Sequence, residues 1–333
     1  MPELSPKNWK PKTLVTGANG FVGRRICKAL LSAGLDVVAG VRRGADVSGL
    51  DGMNVEFRYG DLTDSASLNG LVEGTDAVIH NAGVVKARRQ SMFKKVNAVG
   101  SESLIQAALN SNTVKRFIFV SSQAAAGPSF GEPRLESDSP APVSEYGRSK
   151  LQGERALAKY QDKIELQIVR PVSVYGPGDR EMFSFFEIVS KGIRPKVGDI
   201  SRRIQLIHVD DLSQAILALL LSEARSGECY FIAEKTSYSF KELIDHIGSA
   251  VGRKGVALPV PGWLLRVIGA LVEVSFSLIG KTPMLTRDKA HEILQSWEVS
   301  IEKAMSHFGF SPQNKFPTGA LETVAWYREK GWL

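Results

Sequence analysis

The stretch Thr16-Gly17-Ala18-Asn19-Gly20-Phe21-Val22-Gly23 lies between an apolar run, residues 13–15, and a helix-like run, residues 24–33. Strand, glycine turn and helix in this order are the context that a dinucleotide fingerprint requires. Here Gly17 would permit the tight bend, Gly20 a close approach of the backbone to a pyrophosphate, and Gly23 close packing of helix on strand. The N–H groups at the start of the helix would then bind the phosphates. The sequence therefore predicts a dinucleotide site.

Apolar strand-like runs alternate with helical stretches through the first half of the chain. They cover residues 13–15, 36–41, 55–58, 77–80, 116–120 and 165–169. This alternation predicts an α/β fold, a Rossmann-type doubly wound parallel sheet with helices on both faces. Because Gly34 closes the first helix and a strand follows, a merely flexible glycine loop is the weaker interpretation. Ligands of such sheets lie beyond the carboxyl ends of the strands, so we expect the functional residues there.

Length and composition are those of an ordinary globular protein. The chain has 333 residues, of which 43% are hydrophobic and 23% charged, and this length suggests two domains or one large unit with an added lobe. The formal net charge is +7. Its densest basic stretches, residues 86–95 and the pair Arg202-Arg203, have no interleaved aromatic residues and match no nucleic-acid motif. We therefore expect a solvated face or an anionic cofactor, and no nucleic-acid partner.

The cysteines and the first residues bear on the cell compartment. Cys27 and Cys229 are the only cysteines, which is too few for a disulfide framework and fits a reducing compartment. Residues 1–12 are polar and contain no apolar signal-peptide core, so secretion is not expected. A cytoplasmic location is the prediction, and we predict no metal site.

The end of the second strand distinguishes the two nicotinamide cofactors. A carboxylate there would bind the ribose 2′-hydroxyl, whereas an arginine accommodates a 2′-phosphate. The strand runs into Arg42 and Arg43, while Asp36 lies at its opposite end and Asp46 several residues into the loop. We expect NADP(H) to be preferred, with Arg42 the stronger candidate, and NAD(H) remains an option. In the alternative interpretation both arginines are solvated loop residues.

The candidate chemistry lies in Tyr146-Gly147-Arg148-Ser149-Lys150. Residues four apart share one face of a helix, so the Tyr146 hydroxyl and the Lys150 ammonium can address the same ligand. A nearby cation favours the phenolate and lowers the pKa of a tyrosine. This spacing alone is a weak signal, but Ser121-Ser122 at a strand end upstream supplies a third polar group within a dinucleotide-binding pattern.

These motifs together resemble the extended short-chain dehydrogenases/reductases over nearly the whole chain. Ser122, five residues before Gly127, matches the catalytic serine or threonine of that family, and Tyr146 and Lys150 match its catalytic pair. The resemblance implies cofactor contacts at Gly17, Asn19, Gly20, Phe21, Val22, Gly23, Asp61, Leu62, Asn81, Ala82, Gly83, Asn97, Tyr146, Lys150, Pro171 and Val174, with Arg42 and Arg43 added from the second strand. His208, in a further family motif, is expected to be architectural.

The resemblance also implies a mechanism. Tyr146 would be the general acid/base, Lys150 would lower its pKa and hold the nicotinamide ribose, and Ser122 would hydrogen-bond the reacting oxygen. Hydride would pass between the substrate carbon and the nicotinamide, so the protein contributes positioning and electrostatics.

Departures from the family pattern narrow the substrate. Sugar-nucleotide dehydratases carry an acidic pair after the catalytic hydroxyl residue, whereas this chain has Gln123-Ala124, so no general acid for dehydration is placed there. Ala126 replaces a common tyrosine before Gly127 and leaves a more apolar wall. Segments 297–304, 308–312 and 325–333 resemble the tail of the 3β-hydroxysteroid dehydrogenase and dihydroflavonol reductase branch. We expect an alcohol–ketone oxidoreductase for a hydrophobic, for example sterol-like, substrate.

Two other functions stay open from the sequence. One is a nucleotide-sugar epimerase or reductase, which arginines aimed at a diphosphate in the second lobe would favour. The other is a binding protein that senses NADP without turnover, although such a protein has no need of the residues matched by Ser122, Tyr146 and Lys150.

The C-terminal third is expected to form a smaller, mainly helical substrate lobe. We expect residues 11–172 and 204–234 in the dinucleotide-binding domain, and residues 173–203 and 235–333 in the lobe. The apolar run 263–280 has three interpretations: a core helix, which is the default, the wall of a lipophilic pocket, or a surface helix that contacts a bilayer. The family resemblance implies a homodimer.

Overall fold

The central element is a parallel sheet of seven strands. The computed structural model describes residues 9–87, 89–278 and 285–333. The strands of this sheet are β1 (Thr13–Thr16), β2 (Val37–Val41), β3 (Glu56–Tyr59), β4 (Ala77–His80), β5 (Arg116–Val120), β6 (Glu165–Pro171) and β10 (Glu228–Ile232). They lie side by side in the order β10-β6-β5-β4-β1-β2-β3, so the chain builds the sheet outward in both directions from between β1 and β4. This switch in strand order leaves a crevice at the carboxyl ends of β1 and β4, where such sheets bind ligands.

Helices and smaller sheets complete the fold. The helices are α1 (Phe21–Ser32), α2 (Asn69–Val72), α3 (Gln90–Lys94), α4 (Ser101–Asn110), α5 (Gln123–Ala126), α6 (Glu145–Ala158), α7 (Phe183–Ser190), α8 (Val209–Leu221), α9 (Phe240–Val251), α10 (Gly262–Leu278), α11 (Arg287–Ile293), α12 (Glu302–Phe308) and α13 (Phe316–Glu329). Strands β7 (Ser173–Tyr175), β9 (Arg203–His208) and β11 (Ser237–Ser239) form one small sheet, and β8 (Ile193–Val197) pairs in parallel with β12 (Val256–Val260).

Alternate residues of the central strands supply the two cores of the sheet. In β1, Val15 packs in the cluster that contains α1 and α8, and its neighbour Leu14 packs in the cluster that contains α4 and α6. This follows from the two-residue period of a strand, which sends successive side chains to opposite faces. A third cluster, with Tyr175, Phe186 and Tyr327 at its centre, fills the C-terminal lobe. The predicted doubly wound sheet with a smaller second lobe is therefore confirmed.

The predicted strands agree with the structure to within one or two residues. The first helix begins at Phe21, three residues before the predicted start, because Gly20 already occupies the N-cap position. Cys27 and Cys229 are free thiols, as the sequence suggested. Strand β9 pairs with β7 and β11 rather than with the central sheet, and the proposed division into domains stays a prediction.

Parts of three predictions lie outside the described residues. They are residues 1–8 of the polar start, Arg88 of the basic stretch and residues 279–280 at the end of the apolar run. Among the helices that the structure describes, none combines the length and the apolar character needed to cross a bilayer.

Candidate active site

The glycine turn has the geometry that the fingerprint predicted. Gly17 has a φ of +66°, which favours glycine, and a Cβ there would lie 3.0 Å from the Ala82 Cα. A Cβ on Gly23 would lie 2.1 Å from the Gly17 carbonyl oxygen, so only glycine lets α1 start this close to the turn. No side chain caps the N-terminus of α1. This cradle fits the pyrophosphate of a dinucleotide, whose oxygens would accept the first N–H groups of the helix.

Two predicted arginines and Asp61 lie where β2 and β3 end. Arg42 and Arg43 follow β2 directly and are exposed, and the Arg43 guanidinium lies 5.5 Å from the Tyr59 ring centroid. Hydrogen bonding to Thr63, together with the nearby Arg42 charge, holds the pKa of Asp61 below its usual range. Arg42 therefore lies close to Asp61, which is expected to contact the adenine.

Asp46 does not replace the missing carboxylate at the end of β2. Its side chain accepts the Ser48 N–H at 3.0 Å, and its main-chain carbonyl accepts the side-chain amide of Asn19 at 3.0 Å. The loop after β2 is thereby tied to the glycine turn. The described residues at the end of β2 thus offer cations rather than carboxylates to a ribose.

The end of β4 brings the remaining cofactor residues together. The Ala82 N–H donates to the Thr16 hydroxyl at 3.1 Å, which joins β4 to the glycine turn. A Cβ on Gly83 would lie 3.0 Å from the Asn97 Oδ1 and 3.2 Å from the Lys150 Nζ. Gly83 therefore leaves open the surface beside the lysine that is expected to hold the nicotinamide ribose.

Asn97 lies in a single π-helical turn between α3 and α4, residues Lys95–Gly100. Its amide accepts the Val84 N–H and donates to the Val84 carbonyl and to the Ser149 hydroxyl, at 2.8 to 2.9 Å. A Cβ on Gly153 would lie 2.4 Å from the Asn97 carbonyl oxygen, so α6 reaches this turn only because residue 153 is glycine. Such bulges are frequent at functional sites, and this one fixes the chain after Asn81-Ala82-Gly83.

Ser122, Tyr146 and Lys150 meet at the carboxyl end of β5. Ser122 is the N-cap of α5, where its hydroxyl accepts the Ala124 N–H at 3.1 Å. Ser144 caps α6, and Tyr146 and Lys150 follow in its first turns. The Lys150 Nζ donates to the Val120 carbonyl at 2.8 Å and lies 4.9 Å from the Phe119 ring centroid. Tyr146 remains partly exposed toward the crevice, while Lys150 is buried beneath it.

Burial shifts the pKa values of both Tyr146 and Lys150. Burial raises the pKa of Tyr146 to about 12, the Ser122 hydroxyl opposes the rise, and the carboxylates of Glu292 and Glu181 add to it. Burial lowers the pKa of Lys150 to about 8, against the effect of Glu154. Desolvation of the phenol dominates the pKa of Tyr146, and a lowering of that pKa by Lys150 stays a prediction. The lysine nonetheless keeps most of its positive charge at neutral pH.

His80 forms a buried network that the sequence did not reveal. Its Nδ1 lies 2.8 Å from the Thr16 hydroxyl and its Nε2 lies 2.8 Å from the Ser101 hydroxyl, which itself donates to the Asn97 carbonyl. Ser101 must then accept from Nε2–H, and Nδ1 must accept from Thr16. Burial lowers the pKa of His80 to about 3, so the ring is neutral. One directed chain of hydrogen bonds thereby joins the glycine turn to Asn97.

A buried ion pair joins the strand and helix beside Ser122 and Lys150, and sequence reasoning missed it. Arg170 donates to both oxygens of the Glu154 carboxylate, at 2.9 and 2.6 Å, and the Ser121 hydroxyl donates to the same carboxylate. The only sequence signal was a set of polar residues at buried positions of β5, β6 and α6. This pair connects three elements that carry Ser122, Lys150 and Pro171.

Helix α11 bounds the site from the second lobe. The Asp288 carboxylate accepts the Glu145 N–H at 2.8 Å, and the Ser144 hydroxyl donates to Glu292. These contacts tie the lobe to the first turn of α6, directly beside Tyr146. No local sequence pattern indicated these contacts, because the partners are more than 140 residues apart.

The other predicted residues keep positions near the crevice or support it. Pro171 ends β6 and is buried, and Val174 lies half-buried in β7. Leu62 packs against the π-helical turn, where a Cβ on Gly100 would lie 2.7 Å from it. His208 caps α8 by accepting the Asp210 N–H at 3.3 Å, which is an architectural contact of the kind expected.

The fold and these strand-end residues define a dinucleotide-binding α/β protein of the Rossmann type. The family model for the NAD dependent epimerase/dehydratase family matches residues 13–233. The chain belongs to this family, whose members are enzymes, and the resemblance to extended short-chain dehydrogenases/reductases is confirmed. Its basic chemistry is that of an NAD-dependent oxidoreductase of the epimerase/dehydratase type.

Individual relatives differ in what they act on. The chain is 32% identical to the ceramide reductase of Caulobacter vibrioides, over 96% of this chain and 95% of that one. It is 29% identical to a UDP-glucose 4-epimerase of Vibrio cholerae, over 94% and 95%. The solved dTDP-glucose 4,6-dehydratase of Streptomyces venezuelae, which has NAD bound, superposes with a TM-score of 0.79 at 24% identity, over 96% of this chain and 98% of that one. At this identity the structure shows a common fold.

Proposed function

We propose that this protein is an NADP(H)-dependent oxidoreductase that interconverts a ketone and a secondary alcohol on a hydrophobic substrate. The observation that carries the proposal is the meeting of Ser122, Tyr146 and Lys150 beside Gly83 and the glycine turn. A hydroxyl, a phenol and an ammonium at one strand end can bind a carbonyl oxygen, protonate it and hold a ribose.

In the reductive direction each group has a separate task. The Ser122 hydroxyl and the Tyr146 phenol donate hydrogen bonds to the carbonyl oxygen and polarise it. The bound nicotinamide would supply the hydride. As negative charge develops on the oxygen, Tyr146 transfers its proton, and its high pKa in this structure makes it a proton donor at neutral pH. The buried Lys150 charge would stabilise the resulting phenolate and would hold the ribose hydroxyls of the bound cofactor.

The choice of NADP(H) over NAD(H) is supported by Arg42 and Arg43. Both are exposed at the carboxyl end of β2, and the nearest acid of the following loop, Asp46, is engaged with Ser48. A 2′-phosphate at this position would meet two cations, whereas a ribose 2′-hydroxyl would find no carboxylate to accept its hydrogen bond.

Two features support the preference for a hydrophobic substrate: the alanines of α5, and the contacts made by two arginines of the second lobe. Helix α5 begins with Gln123 beside Ser122, and its other three residues, Ala124, Ala125 and Ala126, carry no polar side-chain atoms. Arg202 donates to two main-chain carbonyls and stacks on Phe240, and Arg203 bonds Ser237. Because Arg202 is buried and both side chains already bond protein oxygens, these arginines give little support to a diphosphate site. The similarity to ceramide reductase agrees with a lipid-like ketone.

The decisive experiment is the Tyr146→Phe substitution. Ketone-dependent oxidation of NADPH should fall at least about a hundredfold, while NADPH affinity stays the same, because only proton transfer is removed. Tyr160→Phe is the matched control, since Tyr160 lies outside the crevice and bonds Gln106. Full turnover by Tyr146→Phe would refute the assignment.

The epimerase similarity defines the competing activity. The 29% identity with UDP-glucose 4-epimerase makes UDP-glucose the substrate to compare with a hydrophobic ketone. Conversion of UDP-glucose to UDP-galactose without net oxidation of cofactor would favour the epimerase. Absence of turnover with either substrate, together with tight NADPH binding, would favour a sensor. The cytoplasmic location and the homodimer stay predictions, and sedimentation of the purified chain tests the latter.

A further inference from the structure

An apolar patch lies on α10 and on β12, which precedes it. Its members are Val256, Leu258, Trp263, Val267, Ile268 and Leu271, between 37% and 77% exposed. Trp263, Val267 and Leu271 are spaced by four residues and therefore share one face of the helix. Protein surfaces usually carry such residues singly, so six of them within residues 256–271 indicate an interaction surface.

The opposite side of α10 is packed on the rest of the lobe. Gly269 is buried, and a Cβ there would lie 2.8 Å from the Thr286 carbonyl oxygen at the start of α11. Leu265 packs against the core of the lobe. Helix α11 in turn bonds the first turn of α6 through Asp288. The patch is therefore separated by one helix from the entrance beside Tyr146.

Positive charges border the patch. Arg253 and Lys254 precede β12, Lys196 lies on the paired strand β8, and Arg266 lies on α10, all exposed. Among the residues that the structure describes, none of these four has a salt-bridge partner. Between residues 253 and 273 the only acid is Glu273, whose carboxylate accepts the Arg287 N–H at 3.1 Å. The apolar face is thus framed by cations.

We propose that this patch docks the protein onto the surface of an anionic lipid bilayer. Trp263, Val267 and Leu271 enter the boundary between headgroups and acyl chains, and the bordering cations contact lipid phosphates. An apolar helical face with a basic border is complementary to an anionic bilayer. The net charge of the whole chain, +7, is also opposite in sign to the bilayer. In this orientation α11 and the crevice lie close to the lipid, which, on the proposed function, shortens the path of a lipid ketone to Tyr146.

The binding is tested with purified protein and vesicles in a flotation assay. We expect binding to phosphatidylcholine vesicles that contain phosphatidylglycerol, weaker binding to phosphatidylcholine alone, and release by added salt. The double variant Trp263→Ser/Leu271→Ser should lower the partition coefficient at least about tenfold, because two apolar side chains no longer insert. Leu321→Ser on α13 is the matched control, since Leu321 is 55% exposed and far along the chain from the patch.

A second pair of variants separates the patch from the overall charge. Arg253→Gln/Lys254→Gln should weaken binding to the phosphatidylglycerol vesicles about tenfold. Lys28→Gln/Lys163→Gln removes the same charge from exposed sites elsewhere and should have little effect. Equal losses in both pairs would mean that net charge alone drives binding, and the proposal would be wrong.

Two further results would overturn the docking proposal. One is the failure of the parent protein to bind phosphatidylglycerol vesicles. The other is a dimer, detected by sedimentation, that Trp263→Ser/Leu271→Ser dissociates, because a second copy would then cover the patch. NADPH binding and turnover of a short, water-soluble ketone should be unchanged in the patch variants. If the parent protein binds vesicles but turns over no ketone, the proposed function is wrong and the docking proposal still stands.

Discussion

Replacing His80 with glutamine is expected to flatten the loss of stability between pH 7 and pH 5. The buried imidazole has a pKa of about 3, against an ordinary value of 6.5. The unfolded chain therefore takes up a proton below pH 6.5 that the folded chain refuses, so the stability contributed by this residue is complete above 6.5 and is lost as the pH falls toward 3. At pH 5 the loss is 1.5 pH units at 1.36 kcal/mol each, or about 2 kcal/mol.

The measurement is urea unfolding of the parent and of His80→Gln at both pH values. Glutamine keeps a donor toward Ser101 but does not titrate, so the variant should be less stable at pH 7 and should lose about 2 kcal/mol less than the parent on acidification. Burial raises the pKa of Asp179 to about 6 and that of Glu234 to about 7, so these carboxyls add stability as the pH falls. Their contribution is the same in both proteins and cancels in the comparison. Identical pH dependence in the two proteins would refute the neutral, directed network.

Two other substitutions test the cofactor site and the position of α6. Arg42→Ala should weaken NADPH binding about 5- to 30-fold, the effect of losing an exposed charge-assisted contact of about 1–2 kcal/mol, and should leave NADH binding unchanged. Titration calorimetry measures both, with Arg225→Ala as the exposed control, and equal affinity of the parent for NADPH and NADH would contradict the preference. Gly153→Ala places a methyl group 2.4 Å from the Asn97 carbonyl oxygen and should destabilise the fold by about 1–3 kcal/mol and slow turnover. Gly70→Ala, which meets nothing within 4 Å, is its control in urea unfolding, and parent-like behaviour of Gly153→Ala would show that α6 is not held against Asn97.

The sequence was sufficient for features that depend on neighbouring residues. Alternating apolar runs give the strands and their order along the chain, and the glycines of residues 16–23 define a turn that few other residues adopt. The four-residue spacing of Tyr146 and Lys150 follows from helix geometry alone. Because parallel strands share one carboxyl edge, the sequence alone assigns their polar ends to a single crevice.

Tertiary structure decided what depends on burial and on distant partners. The neutral His80, the Glu154–Arg170 pair and the contact of α11 with the start of α6 join residues far apart in sequence, and a local pattern contains no information on such pairs. Burial raises the pKa of Tyr146, and no local pattern predicts this rise, because desolvation is set by the surrounding packing. The apolar run beginning at Trp263 was expected by default to be a core helix, yet between residues 263 and 271 packing covers only one of its sides. Spacing along a chain fixes which side chains share a face, and only the folded neighbours determine whether that face meets protein or solvent.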